Sequence, residues 1–180
     1  VSIGMDEAGI NDDRDMLQEM RLVLNLHREP GMGQCVPTAA QVLQMATEHG
    51  ADTTPFGDRL GRLEPGRAAD LVLIDWGQIA SPYLDADIPV LEAVVHRAKT
   101  EGVKAVMVAG EVIYENGRFT RIDKDAVLAE IEAKFNQPRT VAERARRELA
   151  RDVLPYVRAF YDGYLNGESR DPFYRRNARC

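Results

Sequence analysis

The sequence contains few cysteines and no long hydrophobic run, and both shortages exclude classes of protein. Cys35 and Cys180 are the only cysteines, which is too few for a disulfide framework, and neither has the spacing of a metal-ligand pair. No stretch approaches the ~18 consecutive apolar residues of a membrane helix, and no basic-then-apolar signal segment opens the chain. We therefore expect a cytoplasmic protein that does not act at a membrane.

Positively charged residues are also fewer than negatively charged ones. The chain has 23 Lys and Arg against 29 Asp and Glu, a net charge of −6, which argues against nucleic acid as the main partner. The charge is uneven, because ten Arg face six acidic residues between Arg139 and Cys180. This segment could contact an acidic partner or a neighbouring subunit, although a helix with a solvated charged face is the simpler explanation.

What is present is typical of a globular protein. Of the 180 residues 44% are hydrophobic and 29% are charged. The sequence opens on Val1 rather than Met, and its first residues, VSIGM, have the character of a strand. We therefore expect the chain to be a piece of a longer protein.

The N-terminal third alternates between a strand pattern and helix patterns. The apolar run Val1 to Met5 predicts a buried strand that ends at Asp6 and is followed by a polar loop. Three- and four-residue spacing of apolar residues predicts a helix from Asp13 to His27. A second helix is predicted from Thr38 to Gly50, because Thr38 and Gln41 match a capping box.

The middle of the chain changes to an extended pattern. Glu64-Pro65-Gly66 predicts a type II turn, after which Leu71 to Ile74 is a continuous apolar run. Three more extended segments are separated by Ala109-Gly110 and Asn116-Gly117: Val103 to Ala109, Glu111 to Tyr114 and Arg118 to Thr120. Asn-Gly is a strong hairpin signal, so a small antiparallel sheet is predicted.

The last third returns to helical spacing. Asp123 is placed to cap one helix, and Thr140 with Glu143 forms a capping box for a longer one. Pro155 should kink or restart the longer helix. A further helix is predicted between the strands, from Val90 to Lys99.

Two motifs resemble a known family. The segment GMDEAGINDDRDMLQEMR, Gly4 to Arg21, is similar to the loop after the eighth barrel strand in metal-dependent amidohydrolases. The segments Gln41 to Ala51 and Gly61 to Asp75 are similar to that family's passage from its last barrel helices into a small β-sandwich. The resemblance is to the deaminase and chlorohydrolase subgroup, which includes cytosine deaminase-like and S-adenosylhomocysteine deaminase-like proteins.

This resemblance implies an α/β fold. The chain would supply the last strand and helices of a (β/α)₈ TIM barrel, part of a small β-sandwich and C-terminal helices. The implied division is the end of the barrel at residues 1–60, a sandwich portion at 61–121 and a helical segment at 122–180.

The resemblance also implies roles for two residues. Asp6, at the end of a barrel strand, would contact the catalytic metal and act as general base on metal-bound water. Asn11 would contact the substrate, although capping of the following helix explains it equally well. Met5, Glu7 and Ile10 depart from the family's usual residues and imply an altered substrate pocket.

The metal expected from the resemblance is zinc, with iron as the alternative. Its other ligands are expected upstream, because His27, His49 and His96 are isolated and form no His-x-His pair. Zinc in catalytic centres normally takes three protein ligands. The histidines at positions 27 and 49 are explained by helix ends, where a histidine meets the negative end of the dipole.

The implied function of the complete protein is deamination of a small molecule at a ring amine, and this chain alone is expected to be inactive. Hydrolytic dechlorination is an alternative within the same family. A catalytically inactive interaction module is the alternative from another class. The complete protein is expected to form homo-oligomers.

Overall fold

The computed structural model describes residues 1–6, 13–27 and 36–165, with side chains up to residue 162. Asn11, Glu7 and Ile10 lie outside the described residues, as do Cys35 and Cys180. One compact unit comprises Val1–Asp123, and a second begins at Lys124. The three-part division expected from the resemblance stays a prediction.

The first unit combines short helices with one sheet. Its elements in chain order are α1 (Met16–Leu26), α2 (Ala39–Ala46), α3 (Glu48–Asp52), β1 (Leu71–Ile74), α4 (Trp76–Ala80), α5 (Val90–Arg97), a 3₁₀ turn (Thr100–Gly102), β2 (Val103–Val108), β3 (Glu111–Glu115) and β4 (Arg118–Phe119). The sequence did not predict α4, which is only five residues long.

The start of α2 confirms the predicted capping box. Gln41 donates its backbone N–H to the Thr38 hydroxyl over 3.2 Å, and Gln41 Oε1 accepts the Thr38 N–H over 3.0 Å. The predicted single helix to Gly50 is wrong, however, because the helix is interrupted at Thr47. There Thr47 has φ −117° and ψ −82°, away from α-helical values, and its backbone N–H is shared between the Leu43 and Gln44 carbonyls.

The main apolar cluster joins three helices. Its buried members are Met20 and Leu24 from α1, Ala39 and Val42 from α2, and Val95 from α5. The cluster therefore packs the two N-terminal helices α1 and α2 against α5, a helix that follows β1 in the chain.

Residues Val1 to Met5 do not form the predicted strand. The segment makes no strand ladder in the described residues, and Val1 is 97% exposed. A parallel strand needs hydrogen-bonded neighbours on both edges, and here the backbone N–H of Ile3 bonds to the carbonyl of Met45 at 3.1 Å. An apolar pattern predicts a strand only where partner strands exist.

The predicted antiparallel sheet is confirmed, in the order β1-β2-β3-β4. Both hairpin turns have positive φ at their two central residues, 50° and 83° at Ala109-Gly110 and 51° and 82° at Asn116-Gly117. This pattern belongs to type I′ turns, which match the strand twist. Asp70 anchors the first turn, because its Oδ1 accepts the Ala109 N–H at 2.6 Å.

The sheet is uncovered on both sides at β1. Val72 and Leu73 are neighbours in the strand, so their side chains lie on opposite faces, and they are 52% and 56% exposed. A strand whose large apolar side chains are exposed on both faces of the sheet is unusual in a soluble globular protein.

The second unit contains α6 (Lys124–Phe135) and α7 (Val141–Leu165). The predicted capping box of α7 is confirmed, since the Glu143 carboxylate accepts the Thr140 N–H at 2.7 Å. Pro155 lies inside α7 and does not restart it. The exposed backbone there can bond to water in place of the lost helix hydrogen bond. Among the helices of the described residues, none is long and apolar enough to cross a bilayer.

Candidate active site

The segment that leads to Asp6 is held against α2 and α3. Besides the Ile3 to Met45 backbone bond, Nδ1 of His49 lies 3.0 Å from the Val1 carbonyl oxygen. A carbonyl can only accept, so His49 donates from Nδ1 in this contact. Ile3 also packs against the main apolar cluster. The residues before Asp6 are therefore positioned by one backbone bond, one side-chain bond and one apolar contact.

Asp6 stands at the end of this segment in a left-handed backbone conformation. Its φ is +50°, a region that Asp tolerates better than most residues. The residue is exposed. An exposed carboxylate can exchange protons with water or contribute oxygen ligands to a metal ion.

The start of α1 follows the segment that contains Asn11. Asp15 is the N-cap, and its Oδ1 accepts the Leu17 N–H at 2.9 Å, as expected for an acidic residue at a helix start. Asp13 lies two residues earlier and has one buried oxygen, Oδ1, with no hydrogen-bond partner in the described part of the chain.

The described residues do not by themselves make a metal centre. In the ranges 1–6, 13–27 and 36–165, no group of three His, Cys, Asp or Glu side chains is arranged to hold a metal ion. His27 is the C-cap of α1, and His96 lies 3.5 Å from Glu92 on α5. The described residues therefore supply no full ligand set for a catalytic zinc ion, which normally takes three protein ligands.

One long-range contact near this region was not predicted from the sequence. The Arg21 guanidinium, on α1, donates to the Ala98 carbonyl just after α5, across 77 residues of chain. Ala98 is the buried C-cap of α5, so the contact ties α1 to the C-terminal end of α5. No local pattern around Arg21 indicates this partner.

A second unpredicted feature is the ion pair at the end of β1. Asp75 caps α4 through the Gly77 N–H at 2.9 Å, and its Oδ2 lies 3.0 Å from the Lys104 ammonium. The hydrogen bond from Lys104 and then that from Gly77 hold the pKa of Asp75 below its usual value. Asp75 lines an open cavity of about 460 Å³ with Gln78 and Lys99 among its neighbours.

Replacing Lys104 by methionine should raise the pKa of Asp75 towards its ordinary value. The pKa of Asp75 is lower in the folded protein than in the unfolded chain, so the ion pair stabilises the fold at pH values above the ordinary Asp pKa of about 4. This stabilisation is lost as the pH falls through the pKa that Asp75 has in the folded protein. An NMR titration of the Asp75 carboxyl in both proteins measures the change. The control Lys99→Met removes the same charge without breaking the Asp75–Lys104 ion pair and should leave the pKa of Asp75 unchanged. Equal pKa values of Asp75 in the wild type and in Lys104→Met would contradict the assignment of this ion pair.

Residues 1–113 match the family model described as "Amidohydrolase family". Among curated proteins, the chain is 36% identical over 129 residues to the 5-methylthioadenosine/S-adenosylhomocysteine deaminase of Syntrophomonas wolfei. It is 34% identical over 128 residues to the 5'-deoxyadenosine deaminase of Methanopyrus kandleri. These matches cover 72% and 71% of the chain but only 29% of each relative.

Solved structures give a similar result. A zinc-bound adenosine deaminase from Xanthomonas campestris superimposes with a TM-score of 0.66 and 30% identity, covering 73% of this chain and 29% of that one. A zinc complex of an atrazine chlorohydrolase from Arthrobacter aurescens superimposes with a TM-score of 0.63 and 26% identity, covering 74% and 29%. The chain thus spans less than a third of the length of the proteins to which it is similar.

Proposed function

Because this chain belongs to the amidohydrolase family, we propose that the complete protein hydrolyses a carbon–nitrogen bond other than a peptide bond, releasing ammonia from an amino group on a heteroaromatic ring. The observation that supports this most directly is the placement of Asp6. It is an exposed carboxylate in a left-handed conformation, at the end of an anchored segment inside the family match.

Asp6 would serve as the proton-transfer group of this reaction. Water attacks the ring carbon that bears the amine, so a C–O bond forms and the C–N bond breaks. Asp6 takes the proton that water loses and passes it to the departing nitrogen, which leaves as ammonia. The carboxylate is regenerated at the end of the cycle, so no further reactant is required.

A divalent metal ion, zinc with iron as the alternative, would lower the pKa of the attacking water when bound. Asp6 would be its ligand from this chain, and the remaining ligands would lie in the part of the complete protein outside these residues. Both structural relatives described above bind zinc, which supports this assignment. The chain by itself would therefore be inactive.

The proposed setting for Asp6 is the C-terminal mouth of a (β/α)₈ barrel. Residues 1–60 would end the barrel, residues 61–121 would form part of a sandwich and residues 122–180 would form a terminal helical segment. The uncovered faces at Val72 and Leu73 support a missing layer of structure. Asn11 would lie at the substrate, and the complete protein would assemble from several copies.

The substrate class proposed here is an adenine nucleoside. The relatives at 34% and 36% identity are named as deaminases of adenosine derivatives, whereas the named chlorohydrolase is 26% identical. Deamination is therefore favoured over dechlorination.

Ammonia release by the complete protein tests this function. We expect turnover of 5'-methylthioadenosine or S-adenosylhomocysteine, with mass spectrometry showing an oxygen in place of the ring amino group. Dialysis against a chelator should abolish turnover, and added zinc should restore it. Chloride release from a chlorotriazine without ammonia release would show a dechlorinase, and inactivity on every substrate would favour an interaction module.

A further inference from the structure

The second unit contains a cavity of about 400 Å³ between the end of α6 and the first two turns of α7. Four cationic side chains line it: Lys134 from α6, Arg139 from the connecting segment, and Arg146 and Arg147 from α7. The one carboxylate in its lining is Glu143. We call this feature the basic cavity.

The four cations are not neutralised by nearby carboxylates. Within the described residues, none of them lies in an ion pair of 4.0 Å or less. Glu143 is engaged in the capping box, where one of its oxygens accepts both the N–H and the hydroxyl of Thr140 at 2.7 and 2.8 Å. These bonds, and then the charges of Arg146 and Arg139, lower the pKa of Glu143, so its carboxylate is ionised at neutral pH. With four cations and one carboxylate, the lining carries an excess of three positive charges.

The lining residues are all exposed, and the four cations among them converge on one cavity instead of being spread along one helix face. Three other arginines of α7, namely Arg144, Arg151 and Arg158, do not line the cavity. The lining cations come instead from two helices and the segment between them. Like charges gathered around one cavity repel each other, and a bound anion would remove that repulsion.

We propose that the basic cavity binds a phosphorylated small molecule through its phosphate group. The guanidinium group presents a planar fork of donors that matches phosphate oxygens, and an ammonium adds a compact charge. The volume falls within the range of about 300–1,000 Å³ of small-molecule sites. This proposal is independent of the proposed deaminase reaction, since it uses residues of the other unit.

Equilibrium dialysis of the complete protein against inorganic pyrophosphate tests the proposal. The double variant Arg139→Gln, Arg146→Gln should bind pyrophosphate at least ~10-fold more weakly, because it loses two charge-assisted donors to the phosphate oxygens. The matched control, Arg151→Gln with Arg158→Gln, loses the same charge from α7 outside the cavity and should bind like the wild type.

Helix content measured by far-UV circular dichroism should be the same in all variants. If the double variant loses helix, Lys134→Met, which leaves the capping box intact, should still weaken binding. Absence of pyrophosphate binding by the wild type, or equal weakening in the control, would overturn the proposal. Binding to vesicles of phosphatidic acid in phosphatidylcholine, without binding of pyrophosphate, would overturn it in favour of a lipid surface.

Discussion

Replacing Asp6 by asparagine in the complete protein is expected to lower kcat by about 10² to 10⁴ while leaving the fold intact. Asparagine has almost the same size but cannot accept and return a proton at neutral pH. Asp6 is exposed, and Asn also tolerates its positive φ, so neither packing nor backbone should change. Steady-state kinetics with circular dichroism measure the two parts of this prediction.

The control for this variant is Asp58→Asn. Asp58 is also exposed and lies in the turn region after α3, so this change removes the same charge away from the proposed reaction. It should leave kcat within a factor of about two, as surface substitutions usually do. Near-normal activity of Asp6→Asn would show that Asp6 is only a loop residue and would remove the proposed general base.

Replacing Leu24 by alanine should lower the free energy of unfolding of the first unit by about 2–5 kcal/mol. Leu24 is 5% exposed and belongs to the cluster that joins α1, α2 and α5, so the change leaves a cavity at their junction. Urea unfolding followed by circular dichroism measures the loss.

Leu26 provides the matched control on the same helix. It is 62% exposed, so Leu26→Ala deletes the same atoms without opening a cavity and should change stability by less than about 0.5 kcal/mol. Similar losses in the two variants would contradict the assignment of Leu24 to a packed position in this cluster, because alanine favours the helix at least as much as leucine does.

Patterns that depend on neighbouring residues were predicted correctly. Thr38 with Gln41 and Thr140 with Glu143 form the two expected capping boxes, and Asn116-Gly117 forms the expected hairpin turn. Each signal involves residues at most three apart, so the local backbone is enough to satisfy it. The family, too, followed from local motifs, since residues 1–113 match it.

Three features of the fold were not predicted from the sequence. Val1 to Met5 has a strand pattern but no strand ladder in the described residues, and its one backbone bond to Met45 reaches a helix instead. The break at Thr47 lies in the backbone conformation of that residue, φ −117° and ψ −82°, which no sequence pattern indicated. The short helix α4 has too few residues to give a periodic pattern.

In the candidate site, too, some features were predicted from the sequence and others were not. Asp6 was identified from the sequence because its motif is contiguous, and its role stays a prediction. Other contacts join residues that are far apart in the chain and were not predicted. They are the hydrogen bond from Arg21 to the Ala98 carbonyl, the ion pair of Asp75 with Lys104, and the packing of Leu24 against α2 and α5. The sequence by itself determined the caps and the hairpin turns, because short-range sterics and hydrogen bonds specify them, and its contiguous motifs indicated the family. Only the tertiary structure decided which helices share a core and what holds the segment before Asp6, because these depend on surfaces that meet after the chain has folded.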